Sequence, residues 1–131
     1  MQNKKVVLIA EDEATLRGAI KDELTREGIS VIEAKNGEEG LRIALSEHPD
    51  LIMIDILMPK MDGLAMLKKL REDPWGKNVD FIILTNVSDF DEISRAMKVS
   101  EVKDHESFEY LIKSDVKIED VVEKVKKKLG I

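Results

Sequence analysis

The chain has 131 residues, which suits one domain and buries roughly two-thirds of the surface its unfolded form exposes. Lysine and arginine number 21 against 27 aspartate and glutamate, a net charge of -6 that argues against direct binding of nucleic acid, since a sequence-independent grip on phosphates needs net basic surface. With no cysteine, no secretory apolar region near Met1 to Lys5 and no apolar run long enough to span a bilayer, a cytoplasmic protein without a membrane anchor is expected.

Val6 to Ala10 is a continuous apolar run of strand length. Leu16, Ile20 and Leu24 then recur at helical spacing with Ala19 alongside, and Gly28 can supply the left-handed residue that closes a helix. Ser30 to Ala34 reads as a second strand. Asn36 followed by Glu39 has the outline of a helix cap with a reciprocal carboxylate, and Leu41, Ala44 and Leu45 supply an apolar face before His48-Pro49 ends the helix. Leu51 to Ile54 is a third strand. Gly63 to Glu72 carries Leu64, Leu67 and Leu70 on one side and stops before Pro74, and Phe81 to Leu84 is a fourth strand. From Asp89 to Ser107 the pattern is less legible: Ile93 and Met97 suit a helix, while Ser100 to Glu106 is polar. Tyr110 to Ile112 is a last strand, and Ile118, Val121, Val122, Val125 and Leu129 mark a final amphipathic helix.

Strands that are continuous apolar runs, not alternating ones, belong to a parallel sheet covered by helices on both faces. Right-handed crossovers reach both faces only where the strand order reverses, and the first and third strands are expected to flank that switch point. Ligands of such sheets bind outside the carboxyl ends of the strands. Glu11-Asp12, Asp55, Thr85 and Lys113 each follow an apolar run, so one rim would gather three carboxylates, a hydroxyl and an ammonium. Carboxylates within about 4 Å of each other repel by roughly 4 kcal/mol per pair at an effective dielectric near 20, and a cation or a proton must offset this. The set suits a divalent cation and a phosphoryl group.

Each residue also has an ordinary reading. Glu11, Asp12 and Glu13 could decorate the first turn of a helix, Asp55 could end a strand in a turn, and Lys113 could be solvated. Their coincidence at one end of consecutive strands favours the site. His48 and His105 lack the setting of a metal ligand or phosphohistidine, Trp75 reads as loop or rim packing, and Lys124 with Lys126 to Lys128 complements a helix dipole.

Glu11-Asp12, Asp55 with Met58-Pro59 and Met61-Asp62-Gly63, Thr85 and Lys113 together resemble the receiver domain of two-component response regulators, over nearly the whole chain. The resemblance implies a doubly wound α/β fold of the flavodoxin type, a five-stranded parallel sheet of order 2-1-3-4-5 forming one domain across residues 1–131. It implies that Asp55 is the phosphoacceptor, that Asp12 and Asp55 ligate Mg²⁺ directly with Glu11 acting through water, and that the Leu57 carbonyl completes the protein ligands. Lys113 would neutralise phosphoryl oxygens. Thr85 would move toward the phosphoryl group while Tyr110 fills the vacated space, switching partner binding. The implied partners are a histidine kinase or histidine phosphotransfer protein as donor, with a downstream protein target, in a monomer or a dimer formed on phosphorylation.

The sequence departs from the family at three places. Ser114 stands where proline commonly follows the lysine, Asn86 where a small residue follows the threonine, and the segment Ser88 to Ser107 is long and lacks the usual Gly-Ala pair. That segment lies on the usual signalling face, so it points to an unusual or lost partner, or to a neutral insertion. With no output domain expected after Ile131, signalling would run through a bound partner or onward phosphotransfer. Two rivals remain: a receiver-like interaction module without phosphotransfer, favoured by Ser114 and Asn86, and a metal-dependent phosphohydrolase, disfavoured because Leu57 breaks its Asp-x-Asp pair.

Overall fold

Runs of Val, Ile and Leu with both faces apolar are stable as strands only where helices cover each side. The computed structural model, which describes residues 4–85, 108–114 and 117–131, shows that arrangement. Strands β1 (Val6–Ala10), β2 (Ser30–Ala34), β3 (Leu51–Asp55), β4 (Asp80–Thr85) and β5 (Phe108–Ile112) form one sheet in the order β2-β1-β3-β4-β5. Every pairing is parallel. Among the described residues there are four helices: α1 (Ala14–Arg26), α2 (Gly37–Glu47), α3 (Gly63–Arg71) and α4 (Ile118–Leu129).

The two-residue period of a strand divides the core into two layers. Leu8, Ala10, Ile52, Ile54, Phe81 and Ile83 face α2 and α3, where Ala44, Met66, Leu67 and Leu70 meet them. Val7, Ile9, Leu51, Met53, Ile82, Leu84 and Leu111 face α1 and α4, against Ile20, Leu24, Val121, Val125 and Leu129. The order reverses at β1, so β1 and β3 flank the switch point as expected.

Local chemistry sets the helix ends. Asn36 accepts the Glu39 N–H at 2.8 Å, and the Glu39 carboxylate reaches back one residue further than a capping box would, to the Lys35 N–H at 3.1 Å. Asp62 caps α3 by accepting the Ala65 N–H at 2.8 Å. Gly28 takes φ 81° and His48 takes φ 49°, so both predicted helix ends close on left-handed residues. The α2 face differs from expectation at Leu45, which is 39% exposed. It lies about 100° around the axis from Ala44, while Gly37 and Gly40 take up the inner face. Trp75 does pack at the rim, its ring stacked on that of His48 with centroids 4.4 Å apart at the amino end of the sheet. Ile93, Met97 and the segment Ser88 to Ser107 fall outside the described residues, as does Asn86.

Candidate functional site

The carboxyl ends of β1, β3, β4 and β5 bring the expected residues to one rim. Glu11 and Asp12 follow β1, Asp55 ends β3, Thr85 ends β4, and Lys113 follows β5 with its backbone N–H donated to the Thr85 carbonyl at 2.8 Å. Glu11, Asp55 and Thr85 are buried, whereas Asp12 is exposed at the mouth. One carboxylate oxygen from each of Glu11, Asp12 and Asp55 lies within 4.8 Å of the others. The Lys113 ammonium sits between two of them, 2.7 Å from Glu11 Oε1 and 3.0 Å from Asp55 Oδ2.

The first-turn reading of the acid pair does not hold. α1 begins at Ala14 after Glu13, whose side chain makes no cap, and Glu11 instead turns inward with Oε2 accepting the Glu13 N–H at 3.0 Å. Lys113 is not solvated either, since its side chain is 15% exposed and doubly paired.

Asp55 is held by a close approach. Gly63 donates its N–H to the Ile56 carbonyl at 2.9 Å, and a Cβ on Gly63 would stand 2.3 Å from the Asp55 carbonyl oxygen, so only glycine fits there. Gly37 does the same for the loop beyond, donating to the Met61 carbonyl at 3.1 Å where a Cβ would lie 2.1 Å from that oxygen. Leu57 lies two residues past Asp55 in this loop with its side chain 57% exposed. Tyr110 is on β5, paired with Ile83 in register, but its side chain is outside the described residues. The Lys113–Ser114 peptide is trans.

The charges are out of balance: three carboxylates face one ammonium. Burial raises the Glu11 pKa from 4.5 to about 7, with the Asp55 charge adding to it and Lys113 and the Glu13 N–H opposing. Burial also raises the Asp55 pKa above its ordinary value against the pull of Lys113. For Lys113, burial works to lower the pKa, but the two carboxylates outweigh it and the net shift is upward. Glu11 Oε1 is buried and paired with the Lys113 ammonium at 2.7 Å. Three converging carboxylate oxygens facing a single ammonium are the donor set that small hard divalent cations take.

Sequence reasoning passed over Arg17 and Glu33. The Arg17 guanidinium donates to the Glu11 carbonyl at 2.7 Å and to Glu33 Oε1 on β2 at 3.1 Å. Burial works against ionisation of Glu33, but Lys21 and Arg17 outweigh it and hold its pKa below the ordinary value. The signal was a lone acid in the strand run Val31-Ile32-Glu33-Ala34, where a half-buried carboxylate gains from a neighbouring cation.

A family model described as the response regulator receiver domain matches residues 7–126. The chain is 37% identical over 87 residues to a probable transcriptional regulator, ycf27, of Cyanophora paradoxa, covering 66% of the chain and 35% of that protein. It is 43% identical over 70 residues to the alkaline phosphatase synthesis transcriptional regulatory protein PhoP of Bacillus subtilis, covering 53% of the chain and 29% of the relative. The match therefore spans well under half the length of these curated relatives. The signal receiver domain of a signal transduction histidine kinase from Syntrophus aciditrophicus superposes with a TM-score of 0.81 at 30% identity, covering 96% of this chain and 90% of that one. Strand order, the acidic rim and a match running almost from end to end agree, and the chain belongs to the response regulator receiver domain family, the phosphoacceptor modules of two-component signalling.

Proposed function

We propose that Asp55 accepts a phosphoryl group from a phosphohistidine donor, a histidine kinase or histidine phosphotransfer protein, and that Mg²⁺ is required. The observation that carries this is the placement of one ammonium against two buried carboxylates beside a third, more exposed one. Asp12 and Asp55 would hold the ion directly, Glu11 through water, with the Leu57 carbonyl completing the protein ligands. The bound ion would supply positive charge to the transferring phosphoryl oxygens.

An Asp55 carboxylate oxygen attacks phosphorus in line, the P–N bond to the donor imidazole breaks, and that nitrogen keeps the electron pair. Lys113 neutralises charge on the equatorial oxygens from the position it already holds beside Asp55. Water later attacks the same phosphorus, breaking the bond to the carboxylate oxygen and returning Asp55 and inorganic phosphate. Thr85, at the end of the strand next to Asp55, donates its hydroxyl to the phosphoryl group, and Tyr110 fills the space that this movement leaves. A downstream protein target then reads the altered face, the chain acting in the cytoplasm as a monomer or as a dimer formed on phosphorylation. The signalling face includes residues 88–107, where the sequence departs most from the family. None of the described helices is long and apolar enough to cross a membrane.

The test is intact mass after incubation with acetyl phosphate and Mg²⁺. One phosphate adduct is expected, lost in Asp55→Asn and sharply reduced without the cation. An adduct that survives Asp55→Asn, or none on the wild type with any donor, overturns the assignment, and the second outcome would favour an interaction module.

A further inference from the structure

Arg17 closes the first turn of α1 with its side chain 13% exposed, and its side-chain bonds go to none of the three carboxylates of the rim. Its Nε donates to Glu33 Oε1 at 3.1 Å and its Nη1 to the Glu11 carbonyl oxygen at 2.7 Å. Lys21, one turn on, takes the other Glu33 oxygen at 3.3 Å, so the anchor on β2 is itself held at both oxygens. On its other side Glu11 donates its N–H to the Ala34 carbonyl at 3.0 Å. Residue 11 is thus tied to β2 twice, directly through its nitrogen and through a guanidinium at its carbonyl.

That carbonyl belongs to the planar peptide joining Glu11 to Asp12. Fixing its oxygen fixes the plane, and with it the direction from which both acidic side chains leave the backbone. A flexible turn could not hold two carboxylates of like charge at the convergence seen here, because each would swing outward to relieve repulsion.

We infer that Arg17 is a positioning residue that sets divalent-cation affinity by locking the Glu11–Asp12 peptide, with Glu33 as its anchor. This rests on reading Glu11 and Asp12 as part of the cation site. Groups beyond the ligand sphere of a metal commonly change affinity by about 10–100-fold, through orientation of the ligands. The guanidinium fork matters because one head must reach two acceptors that lie in different directions, which an ammonium on a shorter reach does poorly.

The direction of the effect separates geometry from charge. A positive group near a cation site repels the cation, so if Arg17 acted only as a charge, removing it would tighten Mg²⁺ binding. Locking predicts the opposite. Titration of the cation-free protein with MgCl₂ by calorimetry should show Arg17→Met weakened about tenfold, Arg17→Lys similarly weakened despite keeping its charge, and Glu33→Gln weakened to a smaller degree. Arg26→Met, which removes an exposed pair with Glu23 on the same helix, should bind as the wild type does. Urea unfolding of each variant confirms the folded state, and if Arg17→Met fails to fold, Arg17→Lys and Glu33→Gln carry the test.

Binding by Arg17→Met that is unchanged or tighter, or full rescue by Arg17→Lys, overturns the inference. A wild type that takes neither Mg²⁺ nor phosphate sinks the underlying reading of the site, whereas normal phosphorylation with an unchanged dissociation constant in Arg17→Met sinks only the role of Arg17.

Discussion

Replacing Glu11 by Gln should stabilise the cation-free protein, although it deletes one side of a buried ion pair. Glu11 is fully buried and its pKa rises from 4.5 to about 7, because burial outweighs the help from Lys113 and the Glu13 N–H. The sign follows from proton linkage: between those values the native state holds a proton that the unfolded chain has lost, so stability falls as pH rises through this window and levels off above it. At about 1.4 kcal/mol per unit, the full penalty is about 3 kcal/mol. Gln avoids the ionisation but still buries an amide, which takes back a part of that gain. Urea unfolding followed by the fluorescence of Trp75, the single tryptophan, at pH 5 and pH 8 should show the advantage of Glu11→Gln growing by about 2 kcal/mol at the higher pH. Asp55, also shifted upward, faces Glu11, so the pH-dependent difference between the two proteins reads the acid pair and not Glu11 alone. Saturating Mg²⁺ should erase the advantage by stabilising the wild type more. A difference that is the same at both pH values, or a variant less stable at pH 8, would refute the claim that buried charge at Glu11 is held at a cost.

The same geometry fixes the remaining expectations. Lys113→Met leaves two buried carboxylates without their shared ammonium, so cation-free stability at pH 8 should fall by about 3 kcal/mol, with the loss shrinking in urea titrations as the acids take up protons near pH 5. Gly63→Ala drives a methyl against the Asp55 carbonyl, and should cost about 1–3 kcal/mol in denaturant unfolding and slow labelling of Asp55 by a small phosphodonor. Asn36→Ala removes the α2 cap, whose side chain bonds the Glu39 N–H and not the rim acids, and should cost about 1 kcal/mol with labelling unchanged.

The strands, their parallel pairing and the rim were readable because continuous Val, Ile and Leu runs admit few arrangements, and because chemistry-bearing residues repeat at the same end of each run, while the full strand order came from the family resemblance. What a run could not show was direction within the rim. Glu11 and Asp12 are neighbours in the chain, yet one is buried and the other exposed, because a residue leaving a strand alternates sides while its pairing with Ala34 persists for one more position. Leu45 misled for a related reason: on α2 the two glycines, Gly37 and Gly40, take the inner face that an apolar count assigns to larger residues. Arg17 escaped notice since its partner is a backbone carbonyl, and no residue type marks a carbonyl in a sequence.

Charge imbalance at the rim ties stability to ligation. Neutral or apolar groups in place of the whole set, Lys113 together with Glu11 and Asp55, would make a more stable protein, so the charges are retained at the expense of the cation-free fold. A divalent cation at the proposed site would release the repulsion the acids hold, and its affinity would draw on strain already present in the folded state. Release on binding requires that the carboxylates cannot relax beforehand. Two short tethers prevent it: Gly63 against the Asp55 carbonyl, and Arg17 with Glu33 behind the Glu11 carbonyl. Loosening either tether should therefore move two quantities in opposite directions at the site, relieving repulsion among the acids while weakening the cation. The midpoint stabilisation by Mg²⁺, which grows as the logarithm of free ligand over its dissociation constant, reads both effects in one titration.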